Sequence, residues 1–149
     1  YGFHTSMIEA SMMINDRMPE YCVERAGKIL NHRGKALKGA KVLLLGVAYK
    51  QDVDDCRESP AIKVIDELKK MEALVSFYDP FIPEYLDQGR VCKGERELTA
   101  ELLQGVDLVI VTTAHTPVDY NFVQKNAPAI FDTKNAMKDV KNRENIELL

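Results

Sequence analysis

The sequence predicts an α/β fold: a doubly wound parallel sheet preceded by a long N-terminal α-helix. From residue 41 onward, short apolar runs of strand length alternate with amphipathic segments of helical length. Such alternation favours right-handed crossover connections and a parallel sheet. Residues 5–31 instead carry apolar side chains at every third or fourth position, which is typical of a helix with one buried face.

Length and charge exclude several kinds of protein. The chain has 149 residues, 46% of them hydrophobic and 29% charged, and its net charge is −3. The composition is typical of a globular domain with its own core, and the charge gives no general attraction to nucleic acid or acidic membranes. No apolar run reaches the roughly 20 residues that a membrane span needs. Because the chain begins within a periodic pattern and without methionine, we expect it to be part of a longer protein.

The N-terminal helix is defined by an apolar stripe and by its end. The stripe consists of Ile8, Met12, Ile14, Met18, Cys22, Ala26 and Ile29. Pro19 lacks a backbone donor, so we expect it to kink this helix or to begin a second one. Gly34 is expected at the C′ position just beyond the helix, which glycine favours. We expect a second subunit or a further domain to cover part of the stripe, because little of this chain precedes it.

Four strands and three helices are expected after the N-terminal helix. The strands are predicted at residues 41–49, 73–79, 106–114 and 129–133, and the helices at 59–71, 95–105 and 118–127. Ser59 and Pro60 match the N-cap and first-turn preferences of a helix start, and Gly105 marks a helix end. The polar tail from Asn135 is expected to be a loop and a weak helix.

Polar residues collect where the predicted strands end. Doubly wound sheets bind ligands at the carboxyl ends of their strands. The residues expected there are Lys50, Arg57, Asp79, Thr112, Thr113, His115, Asp132 and Lys134. Cations converge on one rim of an otherwise acidic chain, and Ser59 opens a helix whose N-terminus also favours anions. The pattern predicts a ligand that bears phosphate.

The three cations have simpler interpretations as well. Arg57 is equally well explained by an ion pair with Asp54 or Asp55 that braces the loop, since surface pairs are common though weak. Lys50 and Lys134 are also compatible with solvated loop lysines. These alternatives stay open at the level of sequence.

Asp79 and His115 are each better explained without a ligand. Asp79 precedes a proline, where an isolated aspartate most often caps a turn. His115 precedes Thr116 and Pro117 and is better interpreted as a loop residue than as a catalytic base.

Cysteine and histidine spacing predicts no metal site. Cys22, Cys56 and Cys92 lie far apart, no CxxC motif is present, and the three histidines are not spaced with them as zinc ligands. We interpret the cysteines as free thiols in a reducing cytoplasm. Cys56 is next to Arg57, which is a setting for a lowered pKa, but no histidine or second cysteine adjoins it, so we do not assign it as a nucleophile.

The first strand-to-helix connection lacks a dinucleotide fingerprint. A dinucleotide site in a first βα turn shows G-x-G-x-x-G, whereas this connection has only Gly46. The connection is also long and charged. The domain is therefore expected to be Rossmann-like without the usual pyrophosphate-binding turn.

Three motifs carry a family resemblance. "GVAYKQDVDDCRESPAIKVIDEL", "VSFYDPFIP" and "FDTKNAM" together resemble the C-terminal domain of the UDP-glucose/GDP-mannose dehydrogenase family, the nucleotide-sugar 6-dehydrogenases. The opening "YGFHTSMIEASMMINDRMPEY" resembles the helix of the family's central dimerisation domain. The resemblance implies a boundary between residues 1–36, the end of the dimerisation domain, and 37–149, a UDP-sugar-binding domain. It is closest to the UDP-N-acetylhexosamine branch, with UDP-glucose as the rival substrate.

The resemblance implies an activity that this chain does not contain alone. Family members oxidise the C6 hydroxymethyl group of a nucleotide-sugar in two NAD-dependent steps through a thioester on a cysteine, and their uronic acids serve polysaccharide biosynthesis. The cysteine loop and the NAD-binding Rossmann domain of the family match no residues here. No catalytic residue is therefore expected in this fragment, and it is expected to be inactive alone. A cytoplasmic homodimer through the N-terminal helix is implied as well.

The resemblance also implies roles for four residues. Lys50, with Tyr49 before it, matches the family motif that contacts the nucleotide-sugar. Lys134 occupies a position where relatives carry Arg or Lys near the same ligand, and Arg57 matches an arginine that reaches toward NAD. A different hypothesis is a stand-alone nucleotide-binding or regulatory module without catalysis.

Overall fold

The computed structural model describes residues 18–57 and 59–149. In this part of the chain the helices are α1 (residues 18–32), α2 (Pro60–Lys70), α3 (Ala100–Gly105) and α4 (Tyr120–Asn126). The strands are β1 (Lys41–Leu45), β2 (Leu74–Tyr78), β3 (Glu84–Asp87), β4 (Arg90–Lys93), β5 (Leu108–Val111), β6 (Ile130–Asp132) and β7 (Ile146–Leu148). The predicted α/β class is confirmed.

The sheet at the centre of the described residues is parallel. Its strand order is β2-β1-β5-β6-β7. Residues 42–45 of β1 and 108–111 of β5 are at most 1% exposed. Strands of a parallel sheet are buried on both faces, which explains why these two segments are continuous apolar runs in the sequence.

Helices cover both faces of the sheet, as the doubly wound fold requires. One cluster joins the first face to α1 and α2 and includes Ala26, Leu30, Leu44, Val64, Leu68 and Phe131. A second cluster joins the opposite face to α3 and α4 and includes Leu43, Leu103, Val109 and Val123. Full burial of one such aliphatic side chain contributes about 1.5–3 kcal/mol, so both layers stabilise the sheet that carries the site.

Helix α1 ends at the predicted glycine. The N–H of Lys35 donates to the carbonyl of Leu30 at 2.9 Å, and the N–H of Gly34 donates to the carbonyl of Asn31 at 3.0 Å. Gly34 has a φ of 74°, which glycine adopts without a steric penalty. These bonds form a Schellman motif and confirm Gly34 as the C′ residue.

The chain's own sheet covers the described part of the predicted stripe. Cys22, Ala26 and Ile29 are at most 6% exposed and lie in the first core cluster. Burial of these residues therefore needs no second subunit. The earlier stripe residues, and the helix predicted before Pro19, lie outside the described residues.

The sequence did not predict the hairpin formed by β3 and β4. Its turn residues, Gln88 and Gly89, have φ values of 49° and 80°. Two consecutive positive φ angles are typical of a type I′ hairpin turn. The signal was weak because glutamine is uncommon in the first of these positions, where Asn, Asp and Gly dominate.

The expectation for the tail from Asn135 was wrong in one respect. Residues 146–148 form β7, which pairs in parallel with β6, where a loop and a weak helix were expected. The strand has three residues, and Glu147 and Leu148 are exposed. It therefore shows no buried alternation that would mark a strand in the sequence.

Several elements are shorter than predicted. β1 ends at Leu45, because the next residue, Gly46, has a φ of 89° and leaves the extended conformation. α3 and α4 begin late because Thr99 and Asp119 are their N-caps, each accepting a backbone N–H of the first turn through its side chain. The order of the elements is unaffected.

Candidate functional site

A crevice is expected where the chain diverges from β1 and β5. β1 leads to β2 through α2, and β5 leads to β6 through α4. These two helices lie on opposite faces of the sheet, while β1 and β5 are neighbours within it. The carboxyl ends of two such strands form the usual ligand position of doubly wound sheets.

Gly46 lets the β1–α2 connection pass close to β5. A Cβ atom at this position would lie 2.5 Å from the Cβ of Thr113 and 2.7 Å from its carbonyl oxygen. The hydroxyl of Thr112 donates to the carbonyl of Gly46, and the N–H of Gly46 donates to the backbone carbonyl of Tyr78 at 2.9 Å. The single glycine of the loop is thus explained by close packing against the β5 end.

Two hydroxyl groups hold the carbonyl of Ala48. Thr113 Oγ1 donates to it at 2.9 Å and Ser59 Oγ at 3.2 Å. Ser59 Oγ also accepts the N–H of Ala61 at 3.2 Å, which makes it the predicted N-cap of α2. The start of α2 and the end of β5 are therefore fixed to the same point of the loop.

Asp79 is a buried clamp between strand ends. Its side chain is 0% exposed. Oδ2 accepts the N–H groups of Val47 and Ala48 at 2.8 and 3.2 Å, and Oδ1 accepts those of Phe81 and Ile82 at 2.8 and 3.1 Å. The turn-capping interpretation is correct, and the same carboxylate also holds the residues that follow β1.

His115 is buried beside Asp79. Its ring is 0% exposed, and Nε2 lies 2.8 Å from Asp79 Oδ2. Nδ1 accepts the backbone N–H of Asp52 at 2.9 Å. A backbone N–H can only donate, so Nδ1 carries no proton, and Nε2 donates to the carboxylate. His115 lies in the loop after β5, as expected, but sequence reasoning missed this contact because a lone histidine carries no signal for it.

The turn that contains Lys50 is closed by Asp52. Asp52 has a φ of 59°, a conformation that costs a residue with a side chain roughly 1–2 kcal/mol. Its Oδ1 accepts the N–H of Thr116 at 2.7 Å, and its Oδ2 accepts the hydroxyl of the same residue. These hydrogen bonds from Thr116 hold the pKa of Asp52 below its usual range. The turn is thereby tied to the loop after β5.

A cleft of about 210 Å³ opens at the strand ends. Its lining consists of Ala48, Tyr49, Lys50, Gln51, Pro60, Thr112, Thr113, Ala114 and Lys134. Three predicted nucleotide-sugar residues, Tyr49, Lys50 and Lys134, are thus brought to one cleft. Lys50 Nζ lies 5.9 Å from the centre of the Tyr49 ring, which is 53% exposed. Gln51 is a lining residue that the sequence analysis did not single out.

Lys134 stands between this cleft and a second one. A neighbouring cavity of about 420 Å³ shares Pro60, Thr112 and Lys134 with the first and is completed by Met18, Pro19, Cys22, Ala61, Val64, Thr133 and Leu149. A larger groove of about 580 Å³ borders β2 near Lys41, at the opposite end of the sheet. The two smaller clefts are therefore the candidates for a ligand at the strand ends.

Asp132 fixes the backbone around Lys134. The residue is 1% exposed. Its carboxylate accepts the N–H groups of Lys134, Ala136 and Met137 at 3.0, 3.1 and 2.8 Å. Asp132 thus fixes the backbone of the turn in which Lys134 lines both clefts.

Arg57 lies outside the lining of the two clefts. Its Nε and Nη2 donate to the two carboxylate oxygens of Asp55 at 3.1 and 3.0 Å, so the ion-pair interpretation is correct. These bonds from Arg57 hold the pKa of Asp55 below its usual range. The Arg57 side chain is 88% exposed and does not line either cleft.

The three cysteines lie within the described chain and differ in burial. Cys22 is buried, and Cys56 and Cys92 are half-buried, all three without a disulfide. Burial, with Asp55 and Asp79 nearby, raises the pKa of the Cys56 thiol. The lowered pKa considered for a cysteine beside Arg57 is therefore not observed.

The described residues contain neither a metal-binding cluster nor a membrane-spanning helix. In the described ranges, no three His, Cys, Asp or Glu side chains come together as a metal-binding group. None of the helices described is both long enough and apolar enough to span a bilayer.

Residues 43–139 match the UDP-binding domain of the UDP-glucose/GDP-mannose dehydrogenase family. The chain belongs to this family. The match includes the loop after β1, the Asp79–His115 contact and the turn that carries Lys134. The family resemblance seen in the sequence motifs is confirmed.

Family members from archaea and bacteria are similar to most of the chain. UDP-N-acetyl-D-mannosamine dehydrogenase of Methanocaldococcus jannaschii is 30% identical over 94% of this chain and 28% of its own length. UDP-N-acetyl-mannosamine dehydrogenase of Staphylococcus aureus has a TM-score of 0.71 at 30% identity, covering 97% of this chain and 33% of that one. NDP-N-acetyl-D-galactosaminuronic acid dehydrogenase of Methanosarcina mazei has a TM-score of 0.76 at 25% identity, covering 92% and 30%. The chain therefore spans about a third or less of these relatives.

The first βα turn of this family domain does not fit the pyrophosphate of NAD. In a dinucleotide-binding turn, backbone N–H groups after the first strand face the phosphates. Here the N–H groups of Val47 and Ala48 donate to the carboxylate of Asp79. The buried side chain of Asp79 therefore already takes the two N–H groups that a phosphate would use. The sequence of this turn lacks the G-x-G-x-x-G motif, and in the structure its N–H groups are already paired with Asp79.

Proposed function

We propose that this chain is the nucleotide-sugar-binding part of an NAD-dependent UDP-sugar 6-dehydrogenase. The observation that carries the proposal is the meeting of Tyr49, Lys50 and Lys134 at one cleft on the carboxyl edge of the sheet. Family membership supports a nucleotide ligand, because the matched region is the family's UDP-binding domain.

The cleft offers suitable chemistry for a nucleoside diphosphate. Two lysines, Lys50 and Lys134, line the cleft together with small, ring, hydroxyl and amide side chains. Charge-assisted hydrogen bonds to phosphate are the strong class, and each contributes about 1.5–3 kcal/mol. The exposed ring of Tyr49 adds a flat surface beside Lys50 on which a base or sugar can pack.

The relatives support a substrate class for the proposal. The three similar proteins named above carry N-acetylhexosamine-type names, which supports a UDP-N-acetylhexosamine. UDP-glucose is the rival substrate. In either case the complete reaction converts the C6 hydroxymethyl group to a carboxylate and reduces two NAD.

This chain's part in that reaction is binding. Lys50 and Lys134 line one cleft, which supports a binding role for the described residues. We assign the oxidation itself to parts of the protein outside these residues. Arg57 is proposed to reach NAD from the domain interface, while the pyrophosphate is bound by another domain.

A stand-alone nucleotide-binding or regulatory module is the alternative function. Nicotinamide reduction, followed by absorbance, separates the two hypotheses in the full-length protein. Reduction of NAD with UDP-N-acetylglucosamine, UDP-N-acetylmannosamine or UDP-glucose supports the enzyme and ranks the substrates. Binding of UDP without any reduction supports the module.

Calorimetry with UDP tests the binding site in the same protein. Lys50→Ala is expected to weaken UDP binding by tenfold or more, since 1.4 kcal/mol corresponds to a factor of ten. Lys69→Ala is a matched control, because Lys69 lies in the last turn of α2 at the other end of the sheet. An affinity for Lys50→Ala equal to that of the control removes Lys50 from the site.

Location is part of the proposal. The described cysteines are free thiols, which supports the reducing cytoplasm. We place the protein there, with a UDP-sugar as ligand and without nucleic acid or membrane partners.

A further inference from the structure

The turn that carries Lys50 is attached to a buried side chain. Its exposed contacts are those of Gln51 and Asp52 with Thr116. The backbone N–H of Asp52, in contrast, donates to Nδ1 of His115 at 2.9 Å, and that ring is 0% exposed. Solvent competes for the contacts with Thr116, whereas the bond to His115 is half-buried and its acceptor ring lies in the core.

The orientation of the His115 imidazole is fixed by a hydrogen bond and by a ring contact, and its backbone is fixed by a further hydrogen bond. Nε2 donates to Asp79 Oδ2 at 2.8 Å, and the ring edge lies against Phe81, with centroids 4.9 Å apart. The hydroxyl of Tyr120 donates to the backbone carbonyl of His115 at 2.9 Å. The ring therefore has one orientation, in which the unprotonated Nδ1 points at the Lys50 turn.

We propose that His115 is a positioning residue for nucleotide-sugar binding, which holds the turn of residues 50–52 so that Lys50 stays at the cleft. The hydrogen bond to Asp79 sets the tautomer and the angle of the His115 ring. The ring in this orientation accepts the N–H of Asp52 and so fixes the position of that residue. The inference rests on the proposed function, since it requires Lys50 to contact the ligand.

Two amide substitutions separate positioning from simple core packing. In His115→Asn the side-chain amide lies near the position of Nδ1, so its oxygen can accept the N–H of Asp52. In His115→Gln the amide reaches the position of Nε2 and can donate to Asp79, but the N–H of Asp52 loses its acceptor. Both variants remove the same ring, so both are expected to lower the unfolding temperature similarly.

The measurements are made on the full-length protein. Calorimetry gives the dissociation constant for UDP, and hydrogen exchange followed by mass spectrometry reports the peptide that covers residues 49–55. His115→Gln is expected to weaken UDP binding at least tenfold and to speed exchange of this peptide. His115→Asn is expected to stay within threefold of the wild type in affinity and to keep the peptide protected.

A structural role alone predicts a different result. Equal losses of UDP affinity in both His115 variants, in step with their unfolding temperatures, overturn the proposal. Faster exchange in His115→Gln with unchanged UDP affinity overturns it too. In the wild type, saturating UDP is expected to slow exchange of the same peptide, and this measurement stands even if both variants fold poorly; unchanged exchange counts against positioning.

Lys50→Ala distinguishes this failure from failure of the proposed site. The variant keeps the bond between Asp52 and His115, so it is expected to lose affinity for UDP without faster exchange. Normal UDP affinity in Lys50→Ala rejects the proposed site and with it the inference. Lost affinity in Lys50→Ala with normal affinity in His115→Gln rejects the inference alone.

Discussion

At Gly46 the backbone has a φ of 89°, and a Cβ would lie 2.5 Å from the Cβ of Thr113. Gly34 has a similar φ of 74° with nothing within 4 Å of an added Cβ. Gly105 has neither restriction. Comparison of the three positions therefore separates the energetic cost of a positive φ from the cost of a steric contact with Thr113.

We predict a graded response to alanine at these glycines. Gly105→Ala should change the free energy of unfolding by less than about 0.5 kcal/mol, and Gly34→Ala should cost about 1–2 kcal/mol for its left-handed backbone. Gly46→Ala should cost clearly more than Gly34→Ala, because the contact with Thr113 adds to the same backbone penalty. Urea unfolding of the three variants measures this. Equal losses of unfolding free energy in Gly34→Ala and Gly46→Ala would mean that the end of β5 moves away from the new Cβ without an energetic penalty.

Residue-level contacts were predictable only where they are local. The sequence placed Ser59 as an N-cap and Gly34 as a C′ residue because each signal lies within a few positions of the helix end. Asp79 and His115 are 36 positions apart, and their hydrogen bond depends on how β2 and β5 flank β1. The residues were expected at the same edge of the sheet, but their direct contact and their burial were not predictable.

At the scale of elements, Asp107 ties the connection between α1 and β1 to the start of β5. Its carboxylate accepts Lys35 Nζ at 2.7 Å and the N–H of Lys41 at 2.8 Å. The bond from Lys35, with that from Lys41, lowers the pKa of Asp107. Lys35 is half exposed, so solvent screens the pair, and we expect it to contribute about 1 kcal/mol at neutral pH.

The lowered pKa sets the sign of a pH dependence. The contribution of Asp107 is present above its unfolded pKa of about 4 and is lost as the pH falls toward the lower folded value, because protonation then favours the unfolded chain. Between pH 6 and pH 3 the unfolding temperature of the wild type should therefore fall more than that of Asp107→Asn. Subtracting the two curves removes the contributions of Asp52 and Asp55. Parallel curves would show that the Lys35 pair adds no stability.

Elements were predictable in proportion to their burial. The apolar runs of β1 and β5 were recognised because strands buried on both faces leave continuous hydrophobic segments. The β3–β4 hairpin and β7 were missed because their strands have three or four residues, mostly exposed or half-buried. Such segments gain their pairing from neighbours distant in the chain, and their own sequence carries little pattern.

At the scale of the whole molecule, the part of the predicted apolar stripe before residue 18 is the expected dimer contact. The part formed by Cys22, Ala26 and Ile29 is already covered within this chain, which leaves Ile8 to Ile14 for a second subunit. We predict a homodimer of the full-length protein through this part of the N-terminal helix, because isologous pairing is the commonest way to cover such a stripe. Sedimentation of Met12→Glu against Lys28→Glu, an exposed control on α1, tests the interface. A monomeric wild type at micromolar concentration contradicts it.

The final prediction concerns how the whole enzyme uses the loop after β1. If Arg57 reaches NAD, Arg57→Ala should raise the KM for NAD and lower turnover, because the cofactor phosphates lose a cation. Asp55→Asn is the matched variant: it removes the carboxylate that binds the guanidinium in this structure and should leave the KM for NAD unchanged or lower.

Cys56→Ser should keep most activity, because burial raises the pKa of this thiol. Steady-state kinetics, with NAD and UDP-sugar each varied in turn while the other is saturating, measures all three. A different outcome is that Arg57→Ala and Asp55→Asn change the KM for UDP-sugar to a similar extent and leave the KM for NAD unaltered. In that case the role of Arg57 is to stabilise the loop through its ion pair with Asp55. Loss of turnover in Cys56→Ser would instead make Cys56 a reactive thiol.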